Sequence, residues 1–196
     1  KILTPEFIIL KNENINLKLK KIKKKFNSNV VIKPLNEGSS FDVFICNKNN
    51  LLRNLKKMRN YREILVEKFI PGREIQAAIM GKKKLGAIEL KPKRKFYDYQ
   101  AKYNLNAKTQ HIMPAKINSK KYNELMKIAF KAHNLLFCRG ITRSDFKFYK
   151  NRFYLLEVNT QPGMTSLSLV PEIAAYKGMN FKSLVNWIIK DASKVR

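Results

Sequence analysis

Apolar residues recur along this chain at two spacings, and the places where one spacing gives way to the other mark out its elements. Thr4-Pro5 followed by EFIIL reads as the start of a strand. Over residues 15–26 the apolar positions Leu19, Ile22 and Phe26 fall at helical spacing, and lysines fill most of the gaps. That pattern predicts an amphipathic basic helix with a solvated lysine face. VVIKPLNEGSSFDVFIC comes next: a β-branched strand carrying Lys33, a turn with Gly38-Ser39-Ser40, and a second strand from Val43. Leu52, Leu55 and Met58 share one face of a helix predicted over 51–61. Residues 64–74 read as a buried strand that runs into a Pro71-Gly72 turn and resumes as IQAAIM. GKKKLGAIELKPK supplies a further hairpin. The run 96–103, FYDYQAKY, crowds three tyrosines, an acid and a lysine without apolar periodicity, so it reads as a loop. A helix over 119–136 follows, with Tyr122, Leu125, Met126, Ala129 and Phe130 on one face and Ser119 as its expected cap. Residues 138–148 and 153–159 form a hairpin turned at Lys150-Asn151-Arg152. A tight loop over 160–165, a helix from about Pro171 and an amphipathic helix over 181–192 complete the chain.

The last hairpin carries three hard oxygen ligands. Asp145 lies on its first strand, and Glu157 and Asn159 on its second. Residues two apart on a strand share a face, so Glu157 and Asn159 point the same way. If the chain turns about Asn151, Asp145 stands across from Glu157. Such a set suits Mg2+, which leaves its other positions to water and phosphates. Arg143, two residues before Asp145, faces the same spot and can neutralise charge on a transferring phosphoryl group. Lys33 beside the small-residue loop also suits phosphates, since a point charge stands next to exposed N–H groups and hydroxyls. The loop is not a Walker motif, because GxxxxGK[ST] is absent.

Composition adds limits. The chain has 196 residues, enough for one large or two small domains, and 44% hydrophobic and 11% aromatic content indicates a globular protein. A formal charge of +27, from 41 basic and 14 acidic residues, first suggests nucleic acid. The lysines are spread along the whole chain rather than gathered in a stripe, so no specific nucleic-acid partner is expected. Cys46 and Cys138 stand far apart in apolar runs without a CxxC pattern, which predicts buried free thiols in a reducing compartment. His111 and His133 are isolated. No stretch of about 18 apolar residues and no signal peptide is seen, so no membrane partner is expected. The sequence begins with Lys and runs abruptly into a strand, as a fragment or the ordered part of a longer protein would.

RSDF followed by LLEVNTQPGMTSLSLVP resembles the metal- and substrate-binding end of D-alanine–D-alanine ligases, which are ATP-grasp enzymes. KPLNEGSS, ILVEKFIPGREI and FYDYQAKY match three further segments of that family, in family order, so the resemblance runs from Thr4 onward. It implies an α+β ATP-grasp fold: two α+β subdomains with largely antiparallel sheets sandwiching the nucleotide. The expected division is 1–66 for the small, phosphate-covering part and 67–196 for the part with the metal and substrate site.

The same resemblance implies roles. Lys33 contacts ATP phosphates, and Ser40 caps the phosphate being transferred. The backbone after Glu67, with Lys68, Phe69 and Ile70, receives the adenine, and Glu74 binds the ribose hydroxyls. Lys102 reaches the γ-phosphate, while Tyr103 pairs with Ser39 to close the lid. Asp145, Glu157 and Asn159 hold two Mg2+ ions (or Mn2+), with Glu157 shared, and Arg143 stabilises the transition state. Gly163, Ser168 and Leu169 receive the acceptor D-alanine. The implied product is D-alanyl-D-alanine for peptidoglycan precursor synthesis, made in the cytoplasm by an enzyme for which a homodimer is compatible. Two features depart from the family. Asp42 stands where it usually has Gly, in a loop that calls for positive φ, and the family's N-terminal domain, which binds the first D-alanine, is missing. Another ATP-grasp carboxylate–amine ligase is the nearer alternative, and a basic nucleic-acid-binding module the more distant one.

Overall fold

The computed structural model describes residues 1–38, 40–91, 109–165 and 168–194. Two compact units emerge: Pro5–Ile70 in one, and Lys1–Thr4, Pro71–Lys91 and Thr109–Arg196 in the other.

In the smaller unit the order is β1 (Phe7–Leu10), α1 (Ile15–Lys25), β2 (Val30–Pro34), β3 (Phe44–Cys46), α2 (Leu51–Lys57), a 3₁₀ turn (Met58–Asn60) and β4 (Ile64–Lys68). Its sheet runs β1-β4-β2-β3, every pair antiparallel. Asn14 starts α1 by accepting the Leu17 N–H at 2.8 Å, and Lys23, Lys24 and Lys25 complement the carbonyl end of the helix. Ile22, Leu55 and Met58 pack with Ile32, Ile64 and Val66 in one buried cluster. By strand alternation Val31, Lys33, Leu65 and Glu67 occupy the opposite face. The helix expected over 51–61 tightens to 3₁₀ at Met58. β4 also runs past 66: Glu67 and Lys68 pair with Val31 and Val30, and the Phe69 N–H reaches Asn29 O at 2.9 Å. The smaller unit accordingly runs on to Ile70, and the larger takes over at Pro71.

The larger unit contains β5 (Arg73–Met80), β6 (Lys83–Lys91), β7 (Gln110–Ile112), α3 (Ser119–Leu135), β8 (Ile141–Tyr149), β9 (Arg152–Asn159), α4 (Leu169–Tyr176) and α5 (Phe181–Ala192). Its sheet runs β7-β6-β5-β8-β9, again antiparallel. Ile75, Ala77, Ala87, Phe146 and Phe153 form one core with Leu125, Met126 and Ala129 of α3. Gly72 leads into β5 with φ at 137°, and a Cβ there would lie 2.4 Å from the Phe148 carbonyl oxygen. The N-terminal residues join this unit through the Leu155 N–H, which bonds Leu3 O at 2.9 Å.

Two expectations are corrected here. The cap of α3 is Asn118, not Ser119: its backbone is extended and its Oδ1 accepts the Lys121 N–H at 2.9 Å, so Ser119 is already the first helical residue. Cys46 is buried, but Cys138 is only half-buried. The chain leaves α3 through Phe137, at φ 52°, and β8 does not begin until Ile141, so Cys138 lies on the connection and not in a strand. No described helix is long and apolar enough to cross a membrane.

Candidate functional site

The β8–β9 hairpin brings the predicted acids together by an unexpected route. Its turn is Lys150-Asn151 alone, both left-handed at φ 46° and 61°, and Arg152 already pairs with Tyr149. Two consecutive left-handed residues match the strand twist, and Asn tolerates that conformation well. A regular ladder from this turn would set Asp145 against Leu156. Instead the register shifts between Asp145 and Phe146: Phe146 pairs with Leu155, and Asp145 with Glu157. Leu156 is the extra residue of a β-bulge. Arg143 and Asn159 then stand opposite each other.

The shift sorts the side chains. Phe146, Phe153 and Leu155 pack toward α3, while Arg143, Asp145, Glu157 and Asn159 share the other face. β5 extends that face, since Gln76 is the register partner of Asp145 and Glu74 that of Lys147. Arg143 grips Asp145 with Nε to Oδ1 at 2.8 Å and Nη2 to Oδ2 at 3.1 Å. Its Nη2 also lies 3.9 Å from Glu157 Oε1. Lys147 meets Glu74 at 2.9 Å. Asn159 Oδ1 accepts the Gln161 N–H at 2.9 Å. Asp145 is buried, whereas half of the Glu157 side chain is exposed.

These residues fit a hard divalent cation. They present two carboxylates and an amide oxygen on adjacent strands in register, and Arg143 offsets one of the two negative charges. A carboxylate has about four lone-pair sites, so the Arg143 fork leaves Asp145 able to bind a metal as well. Among the described residues no cluster of three His, Cys, Asp or Glu could hold a metal. A pair of carboxylates completed by substrate phosphates is the ordinary arrangement for Mg2+.

Past β9 the chain reaches the other predicted contacts. Ser168 Oγ accepts the Thr165 N–H at 3.0 Å and lies 2.9 Å from Thr165 Oγ1. A Cβ on Gly163 would come within 2.9 Å of that Oγ, so the loop is drawn tight at a position without a side chain. Leu169 is buried as the first residue of α4, and Pro171 sits in the first turn, where no N–H is needed.

In the smaller unit Lys33 Nζ lies 2.7 Å from Glu67 Oε2. Lys68 is exposed, Phe69 half-buried and Ile70 buried. The Lys68 N–H is taken by Glu6 O at 2.8 Å, as that of Phe69 is by Asn29 O. Ser40 and Asp42 adopt φ of 60° and 48°, so Asp42 does occupy the left-handed conformation that favours glycine. Tyr61 donates to Asp42 Oδ2 at 2.7 Å and fastens this loop. Chiefly through that bond, with burial and the charges of Asp42 and Glu37 adding to it, the phenol is pushed up to about 12. The bond's contribution is therefore complete below the ordinary value of 10.0 and disappears as pH rises toward 12. We expect Tyr61, followed by NMR of labelled tyrosine, to return toward its ordinary value in Asp42→Ala. An unchanged titration would show that this bond does not hold the loop in solution.

Ser39, Lys102 and Tyr103, with the rest of the 96–103 loop, lie outside the described residues. Sequence reasoning passed over Gln76 and Lys147. Both follow from the two-residue period once Glu74 and Asp145 are placed on one face. It also passed over Arg73, which holds Glu89 with two bonds of 2.7 and 2.6 Å. His111 and His133 have protein partners in Glu172 and Thr142.

Comparison with known proteins identifies the family of the chain. The profile of the family described as "D-ala D-ala ligase C-terminus" matches residues 1–190. A D-alanine–D-alanine ligase of Pelagibacter ubique is 57% identical over 194 residues, covering 98% of this chain and 64% of the relative. One from Paramagnetospirillum magneticum is 46% identical over 168 residues, covering 83% of this chain and 55% of the relative. The chain thus spans less than two thirds of the length of these curated relatives. Among solved structures, a D-alanine–D-alanine ligase from Bacillus anthracis superposes with a TM-score of 0.82 at 31% identity, covering 97% of this chain and 62% of that one. A structure of that ligase complexed with ATP gives 0.79 at 27% identity, covering 97% and 60%. A D-Ala:D-Ser ligase from Enterococcus faecalis gives 0.82 at 27%, covering 96% and 57%. The antiparallel α+β architecture is the ATP-grasp fold of these neighbours, and the chain belongs to the D-ala D-ala ligase C-terminus family.

Proposed function

We propose that this chain is the nucleotide- and metal-holding part of an ATP-dependent ligase that joins two D-alanines. The observation that carries the reading is the acid face of the larger sheet, where Asp145 and Glu157 stand in register with Arg143 and Asn159 beside them. Family membership and the ATP complex of a structural neighbour support it. Asp145, Glu157 and Asn159 are the residues that would hold Mg2+, as one or two ions (or Mn2+), and the metal when bound would screen the phosphate charges. The product would serve peptidoglycan synthesis in the cytoplasm.

The reaction runs in two displacements. A carboxylate oxygen of the first D-alanine attacks the γ-phosphorus of ATP, and ADP departs. The amine of the second D-alanine then attacks the carbonyl of the resulting acylphosphate and expels phosphate. A carboxylate alone is a poor electrophile, and phosphorylation provides its leaving group. Arg143 stabilises charge on the phosphoryl group in flight. Lys33 and Ser40 contact the phosphates from the smaller unit, and Lys102 reaches the γ-phosphate. The N–H groups of Lys68 and Phe69 are already bonded, so the adenine edge meets the backbone of Ile70. Glu74 accepts from the ribose hydroxyls with lone pairs that Lys147 leaves open. The acceptor carboxylate rests on Ser168 and the N–H groups that open α4, beside Gly163. Tyr103 and Ser39 close the lid. The first D-alanine is assigned to the N-terminal domain of the family, in the part of the relatives' length that this chain does not span.

Calorimetry of ATP binding to this chain, with and without Mg2+ at moderate and high salt, tests the reading. Magnesium-dependent binding that survives high salt is expected. Binding that disappears with salt and ignores magnesium would reduce the interaction to a polycation meeting a polyanion, and the reading would fall. Assay of D-alanine against D-serine and other amino acids, in a ligase of the relatives' full length, then identifies the acceptor.

A further inference from the structure

Gln76 is the one member of the acid face whose polar atoms are unused among its described members. It is fully buried, and neither its Oε1 nor its Nε2 has a hydrogen-bond partner. Strand alternation sets it apart from the apolar side of β5, where Ile75 and Ala77 pack into the α3 core. It stands between Glu74 and Ala78 on its own strand, with Asp145 as its partner on β8. Each charged neighbour on that face is engaged, Glu74 by Lys147 and Asp145 by Arg143. A primary amide buried without partners costs stability, and it persists where a further group completes it.

Building on the metal site proposed above, we infer that Gln76 positions that site: its Oε1 accepts a hydrogen bond from a water bound to the cation held by Asp145, Glu157 and Asn159. Mg2+ retains several waters, each a strong donor that needs an acceptor. The acid face offers donors in Arg143 and Lys147, and its carboxylates are already shared with them. The amide oxygen of Gln76 is the neutral acceptor next to Asp145. It orients the water without adding negative charge to a site that must also admit a triphosphate.

The test is titration of Mn2+ into this chain with a non-hydrolysable ATP analogue, read by electron paramagnetic resonance, with thermal unfolding measured in the absence of metal. Gln76→Leu removes the amide at similar volume. We expect it to weaken Mn2+ binding about tenfold while the metal-free melting temperature holds or rises. Gln76→Glu keeps the acceptor and should bind Mn2+ more like the wild type than like the leucine variant. Wild-type affinity in Gln76→Leu overturns the inference. So does an equal loss in both variants accompanied by a lower metal-free melting temperature, which marks a packing role. Asp145→Asn separates the two levels of the argument. If it leaves Mn2+ binding unchanged, the metal site itself is wrong and the role of Gln76 falls with it.

Discussion

A ligase of the relatives' full length carrying Asp145→Asn or Glu157→Gln is expected to lose about 10²–10³-fold in magnesium-dependent turnover while its fold stays intact. Each change keeps the shape of the side chain and removes one of the two negative charges on the acid face. The fold tolerates both for different reasons. Glu157 is half exposed, so its charge makes a small contribution to stability. Asp145 is buried under the Arg143 fork, but Arg143 also faces Glu157 at 3.9 Å and keeps a carboxylate neighbour. The loss should fall on metal affinity first, so a higher magnesium concentration recovers part of the rate. Phosphate release from ATP and D-alanine, measured across a magnesium series, checks this. Near-normal turnover at low magnesium in either variant removes that residue from the ligand set.

Gly72→Ala should have the largest effect on stability, about 4 kcal/mol or more. Two penalties coincide there. The backbone sits at φ 137°, outside the range of L residues with a Cβ, and this costs about 1–3 kcal/mol. The added Cβ would stand 2.4 Å from Phe148 O and 3.1 Å from Tyr149 Cβ, which β8 can relieve only by moving away from β5. For a chain of this length the melting temperature should fall by about 8–16 °C. Gly38→Ala is the control: nothing lies within 4 Å of its Cβ position. A Gly72→Ala protein that melts with the wild type would mean that β5 and β8 are not held this closely at Phe148.

Much of this organisation was legible because it rests on periodicity. The lysine-filled helix α1, the apolar face of α3 and both strands of the acid hairpin follow from spacing alone. The pairing of Asp145 with Glu157 was also expected, but for another reason. A turn centred on Asn151 gives that pairing by counting, whereas the chain uses a tighter turn and recovers the missing residue at Leu156. Bulges have no side-chain signature here, since Leu155-Leu156 reads the same with or without one. Asn118 was passed over as a cap because Asn and Ser are both good caps, and backbone conformation decides between neighbours. Lys147 and Gln76 went unread because a lysine or glutamine on a strand signals nothing until its partner strand is known. The partner strands are linked by a register that only the folded sheet defines.

The surplus residue at Leu156 has a consequence for how this hairpin can vary. Phe153, Leu155, Glu157 and Asn159 have the same parity, yet the first two serve the greasy interior and the last two the acid face. β9 is in effect two half-strands out of phase, joined at one hinge of register. The turn sets the phase of the inner half and the bulge that of the outer half, so core and ligands are indexed separately. Deleting Leu156 alone would close the ladder into one regular register with Glu157 still opposite Asp145, so both faces survive its loss and only the bend it puts in the strand goes.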